Sequence, residues 1–182
     1  MIFARNFVKH PNMLGVPLPS SRFLVERVLK HVRWGDARTI VEYGPGAGTF
    51  TAEMLARMRP DARLLAIDTN RDFVRFLRER FAGEDRLEVA LASAERVREE
   101  MERLEMDPAD YVISGVPMKP IPPDVRERIV KATRDALAPN GRFLVYQFWS
   151  TVRPHLEAHF RDVREEVEPR NLLPMRVFVC RP

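Results

Sequence analysis

One cysteine, Cys180, is all the thiol in this chain of 182 residues. That excludes an internal disulfide and a thiolate metal cluster. No run approaches the roughly 18 apolar residues that a membrane-spanning helix needs. The N-terminus has no long apolar core and no small-residue cleavage site, so no secretory signal is expected and the location reads as cytoplasmic. Internal repeats and low-complexity linkers are also missing, so nothing marks a domain boundary. Lysine is scarce: arginine supplies most of the 30 basic residues, which outnumber 26 acidic ones for a net charge of +4 and a pI near 9.6. This mild excess fits either an anionic partner or a solvated arginine-rich surface.

What is present is ordinary for a globular protein: 45% hydrophobic and 31% charged residues, in a length that suits one domain with a sizeable core. The chain opens with "MIFARNFVKH". Phe3 and Phe7 share one helical face, Arg5 and Lys9 another, and Pro11 ends the segment. "GVPLPSSR" is a loop whose Ser20 and Ser21 offer a helix start, with the helix predicted over about 20–31. Thereafter strands and helices alternate. Strands are predicted at 38–44, 63–68, 86–92, 110–115 and 142–149. Helices are predicted at 49–58, 71–81, 95–106, 125–137 and 151–160, with an Asn140-Gly141 turn closing the fourth. "DVREEVEP" and "MRVFVCR" read as a final hairpin. The order predicts an α/β fold, a seven-stranded, mostly parallel sheet with helices on both faces, a C-terminal antiparallel hairpin and N-terminal helices.

The first strand runs into "VEYGPGAGTFT". Gly44, Gly46 and Gly48 let the backbone turn sharply and let a ligand approach the main chain. A dinucleotide fingerprint wants its third glycine where Thr49 stands, and a P-loop wants a Gly-Lys-Ser/Thr ending that is absent. Asp68 closes the second strand about twenty residues past the loop, where a carboxylate can accept both hydroxyls of a ribose. Glu42, just ahead of the loop, can fix it or receive a ligand ammonium.

"EYGPGAGT" with "AID" resembles the first two motifs of class I S-adenosylmethionine-dependent methyltransferases, and the alternating order fits that fold over about residues 36–182. The resemblance implies S-adenosylmethionine as cofactor and S-adenosylhomocysteine as its product. Glu42, Tyr43 and the Gly44–Gly48 backbone would hold the methionine part, Asp68 the ribose, and Asn70 the adenosine. Many relatives carry an acidic residue near the adenine amine; here "LASAERV" puts Ser93 and Ala94 in its place.

In this fold the loop after the fourth strand faces the methyl group, and the protein mainly aligns donor and acceptor. Methylases of adenine or amide nitrogen often have Asn/Asp-Pro-Pro-Tyr or Asn-Leu-Pro-Tyr there. This chain has Ser114-Gly115-Val116-Pro117-Met118, without the amide or the stacking aromatic, which disfavours a flipped base. "SGVP", the stretch from Phe7 to Arg22, "VYQF" and "RNLLPMRVFV" together resemble bacterial phospholipid N-methyltransferases, which methylate phosphatidylethanolamine; ornithine-lipid methylases belong to the same broad family.

The resemblance implies one methyltransferase domain, with residues 1–35 as a helical lid or membrane-contact segment and 36–182 as the catalytic core. The expected partners are a phospholipid headgroup and an anionic membrane surface, with peripheral membrane association and no metal. Ser114, Gly115, Pro117 and Tyr146 are the expected catalytic positions, with Tyr43 a further orienting group. Ser20, Ser21 and Arg22 are candidates for a headgroup phosphate, as are Arg153, Arg170 and Arg176, with an ordinary helix cap as the other reading. His155 and His159 read as surface histidines. Two alternatives stay open: a ribosomal RNA adenine dimethyltransferase relative, and a non-catalytic S-adenosylmethionine-binding protein.

Overall fold

The structure is a computed structural model that describes residues 20–171 and 173–182. The helix expected over 1–10 lies outside the described residues. In chain order the elements are α1 (Arg22–Leu29), β1 (Thr39–Tyr43), α2 (Thr49–Arg57), β2 (Arg63–Asp68), α3 (Arg71–Arg80), β3 (Leu87–Leu91), α4 (Val97–Arg103), β4 (Ala109–Ser114), α5 (Pro123–Ala136), β5 (Leu137–Gln147), α6 (Arg153–His159), β6 (Asp162–Glu168) and β7 (Met175–Arg181). One seven-stranded sheet has the order β3-β2-β1-β4-β5-β7-β6. The first five strands are parallel, and β7 pairs antiparallel with both β5 and β6. The predicted sheet and terminal hairpin are therefore as observed.

Each central strand is buried on both sides, so its residues alternate between two cores. Val41, Tyr43, Val112 and Val145 face α4, α5 and α6. Ile40, Tyr111, Ile113 and Leu144 face α1 and α2. A smaller cluster of Val74 and Leu77 covers Ala66 and Val89 under α3.

Element ends follow local chemistry. Ser21 caps α1 by accepting from the Leu24 amide at 3.2 Å, and Asn70 caps α3 by accepting from Asp72 N at 2.9 Å. Pro123 sits in the first turn of α5, where its missing N–H costs nothing. Three expectations shift. The helix expected from Glu95 is a 3₁₀ turn, Ala94–Arg96, followed by α4, which stops at Arg103. The helix expected from Thr151 likewise begins as a 3₁₀ turn, Ser150–Val152. The Asn140-Gly141 turn is not a break before a strand: β5 already pairs at Leu137 with Ala109, and the register jumps so that Arg142 meets Tyr111. Gly141 is needed at that irregularity, since a Cβ there would come within 2.7 Å of the Ala109 carbonyl.

Candidate active site

The carboxyl ends of β1, β2, β4 and β5 meet at one edge of the sheet, next to the topological switch between β1 and β4, where open α/β sheets place ligands. Gly44, Gly46 and Gly48 all have positive φ there, a conformation that costs other residues strain. Gly48 also has no room for a side chain: a Cβ would lie 2.7 Å from Leu77 Cδ2 and 2.9 Å from Phe81 Cε2. The loop is thus pressed onto α3 with its backbone presented at the start of α2.

Asp68 closes β2 behind this loop. Its carboxylate accepts from the Asn70 amide at 2.8 Å and the Gly46 amide at 3.4 Å, while burial pushes its pKa up. Glu42 is nearly solvent-free. Burial raises its pKa to about 8 against the Thr51 hydroxyl that donates to it at 2.6 Å, with Asp68 adding repulsion. Two carboxyls beside a cradle of left-handed glycines fit a cofactor with a ribose and an ammonium, and a buried carboxyl of raised pKa gains most from a cationic ligand. When bound, S-adenosylmethionine supplies an electrophilic methyl on a sulfonium.

At the end of β4, Gly115 donates its amide to the Tyr43 carbonyl at 3.0 Å. A Cβ on Gly115 would overlap the Tyr146 hydroxyl and approach Cζ to 2.6 Å. Tyr146 stacks on Phe50 of α2 with ring centroids 4.6 Å apart. Burial raises the pKa of its phenol, the Glu42 charge adds to this, and Ser20 opposes it by hydrogen bonding. Glu42, Asp68, Gly115 and Tyr146 therefore gather on the α2 side of the sheet.

Two expected residues point elsewhere. Ser114 pairs in register with Tyr43 and Val145 and shares their α5 face; its hydroxyl is buried without a hydrogen-bond partner among the described residues. The position that faces Tyr146 is the next one, Gly115. Tyr43 likewise turns its phenol into the α5 core, 3.2 Å from Thr133 Oγ1 and edge-on to Phe143, so it orients no acceptor. Strand alternation explains both: Glu42 and Tyr43 are neighbours and must face opposite ways.

The adenosine-side candidates act first as caps. The Asn70 side-chain oxygen serves α3. Ser93 exchanges hydrogen bonds with Glu95 at the 3₁₀ turn, and Ala94 is buried behind it. Among the phosphate candidates, Ser21 binds the loop between β6 and β7 through Asn171 Oδ1 at 3.1 Å and the Arg170 carbonyl at 3.2 Å. Arg22 and Arg170 stack on the Phe23 ring at 4.8 and 4.4 Å. Arg153 and Arg176 are not part of this group. Both pair with Glu165, on the opposite face of β6 from the Glu168 that holds Arg170. His155 and His159 share Glu127. Among the described residues, no group of three or more His, Cys, Asp or Glu side chains is arranged to hold a metal ion, and no helix is long and apolar enough to cross a membrane.

Sequence reasoning passed over two supports. Thr51 holds Glu42, and Gln147 holds the loop after β4. The Gln147 oxygen accepts from Met118 N at 3.0 Å and its amide donates to the Val116 carbonyl at 2.6 Å. Pro117 lies between those two anchors. A lone amide at the end of the apolar run "FLVYQ" was the available signal.

Comparison with known proteins agrees with this site. A methyltransferase domain family matches residues 40–141. The ornithine lipid N-methyltransferase of Singulisphaera acidiphila is 30% identical over 182 residues, spanning 99% of this chain and 94% of that protein. The ribosomal RNA small subunit methyltransferase A of Methylococcus capsulatus is 32% identical over 87 residues, which cover 48% of this chain and 28% of that one. In three dimensions, precorrin-6y C5,15-methyltransferase from Geobacter metallireducens superposes with a TM-score of 0.69 over 93% of both chains, at 15% identity, a likeness of fold alone. With the glycine cradle, the paired carboxyls and these relatives together, the chain belongs to the S-adenosylmethionine-dependent methyltransferases and takes its methyl group from that cofactor.

Proposed function

We propose that the acceptor is the amine of a membrane lipid headgroup, with phosphatidylethanolamine as the specific substrate, and that the enzyme works at the membrane surface. The observation that carries this reading is the full-length similarity to an ornithine lipid N-methyltransferase. The geometry at the end of β4 supports it. The loop after β4 lacks the amide that base-amine methylases often carry there, and the Tyr146 hydroxyl stands against Gly115 instead. A hydroxyl held by Ser20 can accept from or donate to a headgroup amine without reading a base edge. Ser20, Ser21, Arg22 and Arg170 gather beside it as phosphate ligands, and residues 1–35 serve as the lid or membrane-contact segment of a single domain. Asp68 and Asn70 hold the adenosine, with Ser93 and Ala94 at the adenine.

The deciding experiment supplies labelled S-adenosylmethionine with phosphatidylethanolamine, ornithine lipid or ribosomal RNA, the lipids dispersed in detergent. Label in phosphatidylethanolamine is the expected result. Label in ornithine lipid alone moves the acceptor but keeps the lipid amine. Label in RNA alone overturns the proposal in favour of the adenine methylase reading that the half-length similarity to the ribosomal enzyme favours. Cofactor binding with label in none of the three leaves the non-catalytic reading.

A further inference from the structure

All four exposed large hydrophobic side chains among the described residues, Leu91, Trp149, Val167 and Leu173, lie at one end of the molecule. Leu91 ends β3, Trp149 follows β5, Val167 is next to last in β6, and Leu173 lies in the turn between β6 and β7. Since β6 runs parallel to β5 through the antiparallel β7, this is the carboxyl end of the sheet, where the cofactor cradle opens. Burial alone would scatter exposed apolar side chains over the surface. Their confinement to the end bearing the site calls for a partner there.

Charges of both signs occur at this end, where Asp124 and Glu168 are held by arginines, but two of its cations stand apart. Over most of the body, arginines are matched with carboxylates, as in Arg57 with Glu26 and Arg128 with Asp124. Arg22 and Lys119 instead lie against aromatic rings, with no carboxylate partner among the described residues. Lys119 Nζ stands 3.8 Å from the centroid of Trp149, and Arg22 lies over Phe23. Phe148 meets Trp149 edge-on at 4.7 Å, so the half-exposed indole is braced rather than loose. A projecting tryptophan with a lysine along its face matches the interface of a bilayer, where the ring enters the headgroup layer and the ammonium stays with phosphate.

We propose that this end docks on an anionic phospholipid bilayer, with Trp149 and Leu173 entering the interface and Lys119 and Arg22 contacting lipid phosphates. The orientation points the mouth beside Gly115 and Tyr146 at the headgroups. The inference rests on the lipid-acceptor reading for its partner, but its test does not depend on that reading.

The chain has two tryptophans. Trp34 precedes β1 and so lies at the opposite end of the sheet, and Trp34→Phe leaves Trp149 as the sole indole emitter. Vesicles of equimolar phosphatidylethanolamine and phosphatidylglycerol, with acyl chains brominated near the headgroup, should shift its emission to the blue and quench it. Trp149→Ser with Trp34 kept, and separately Lys119→Glu, should each weaken vesicle co-sedimentation by about tenfold. Both should retain methyl transfer to detergent-dispersed lipid. Trp149 emission indifferent to brominated vesicles overturns the proposal, whether the protein sediments with them through another surface or not at all. A protein partner or a second copy on this face would give that same indifference. Loss of transfer to detergent-dispersed lipid in the parent protein would instead count against the lipid acceptor, whatever Trp149 reports.

Discussion

Gly115 and Tyr146 exclude any side chain between them: a methyl group on Gly115 would overlap the Tyr146 hydroxyl. Gly115→Ala therefore forces Tyr146 off its stack on Phe50, at a cost of about 1–3 kcal/mol. A lowered melting temperature and a fall in methyl transfer are expected together. Tyr146→Phe keeps the stack and loses only the hydroxyl. Its fold and cofactor affinity should stay near wild type while turnover falls about tenfold or more. A kinetic comparison of the two variants separates packing from chemistry, and unaltered turnover in Tyr146→Phe would remove the hydroxyl from the reaction.

With the cofactor ammonium against Glu42 as proposed, cofactor binding should couple to pH. Its carboxyl ionises at about 8 in the folded chain and near 4.5 when unfolded. Raised in the folded state, this group makes the native protein bind the extra proton, so unliganded stability falls as pH rises from about 4.5 to 8. A ligand ammonium beside it favours the ionised form, so binding expels that proton and affinity rises with pH below 8, by up to about tenfold per unit. Glu42→Gln should flatten both dependences. Titration calorimetry in two buffers of different ionisation enthalpy reads the proton release; none in the wild type would contradict the contact.

Asp68→Ala should weaken cofactor binding about tenfold or more through loss of charge-assisted hydrogen bonds. The same change frees the Gly46 and Asn70 amides that its carboxylate holds, so a conservative Asp68→Asn belongs in the same binding assay. Unchanged affinity in both variants would exclude the ribose assignment.

Gln147→Leu leaves the Met118 amide and Val116 carbonyl without their partner. Each buried orphan costs about 1–3 kcal/mol. The loop that carries Pro117 should loosen, lowering turnover more than cofactor affinity. Hydrogen exchange at Met118 is the direct reading: an amide as slow as in the wild type would show that the clamp is dispensable.

Glu168 sets the acid limit of the edge that holds α1. Hydrogen bonds from Arg170, then from Arg27, hold its pKa at about 2, against 4.5 unfolded. The stabilisation is complete above the unfolded value and is lost as pH falls from about 4.5 towards 2. Melting curves of Glu168→Gln and the wild type should differ most near neutrality and converge in acid.

Periodicity and turn residues alone determined the order of strands and helices, because the inner strands carry short apolar runs set off by turn residues, and only the edge strand β6 is mostly charged. They marked the glycine cradle, Glu42 and Asp68, each at the end of its own strand. What the sequence left undecided is which side of the sheet each side chain faces at the mouth of the site. Ser114 and Tyr43 carry the polar groups, yet the pleat turns both into the α5 core and leaves the mouth to Gly115 and Tyr146, 31 residues apart in sequence. Arg153 and Arg170 also read alike as cations but bind carboxylates on opposite faces of β6. The register of β4 against β1 and β5 decides these outcomes, since a slip of one residue would reverse every facing, and only the assembled sheet fixes that register.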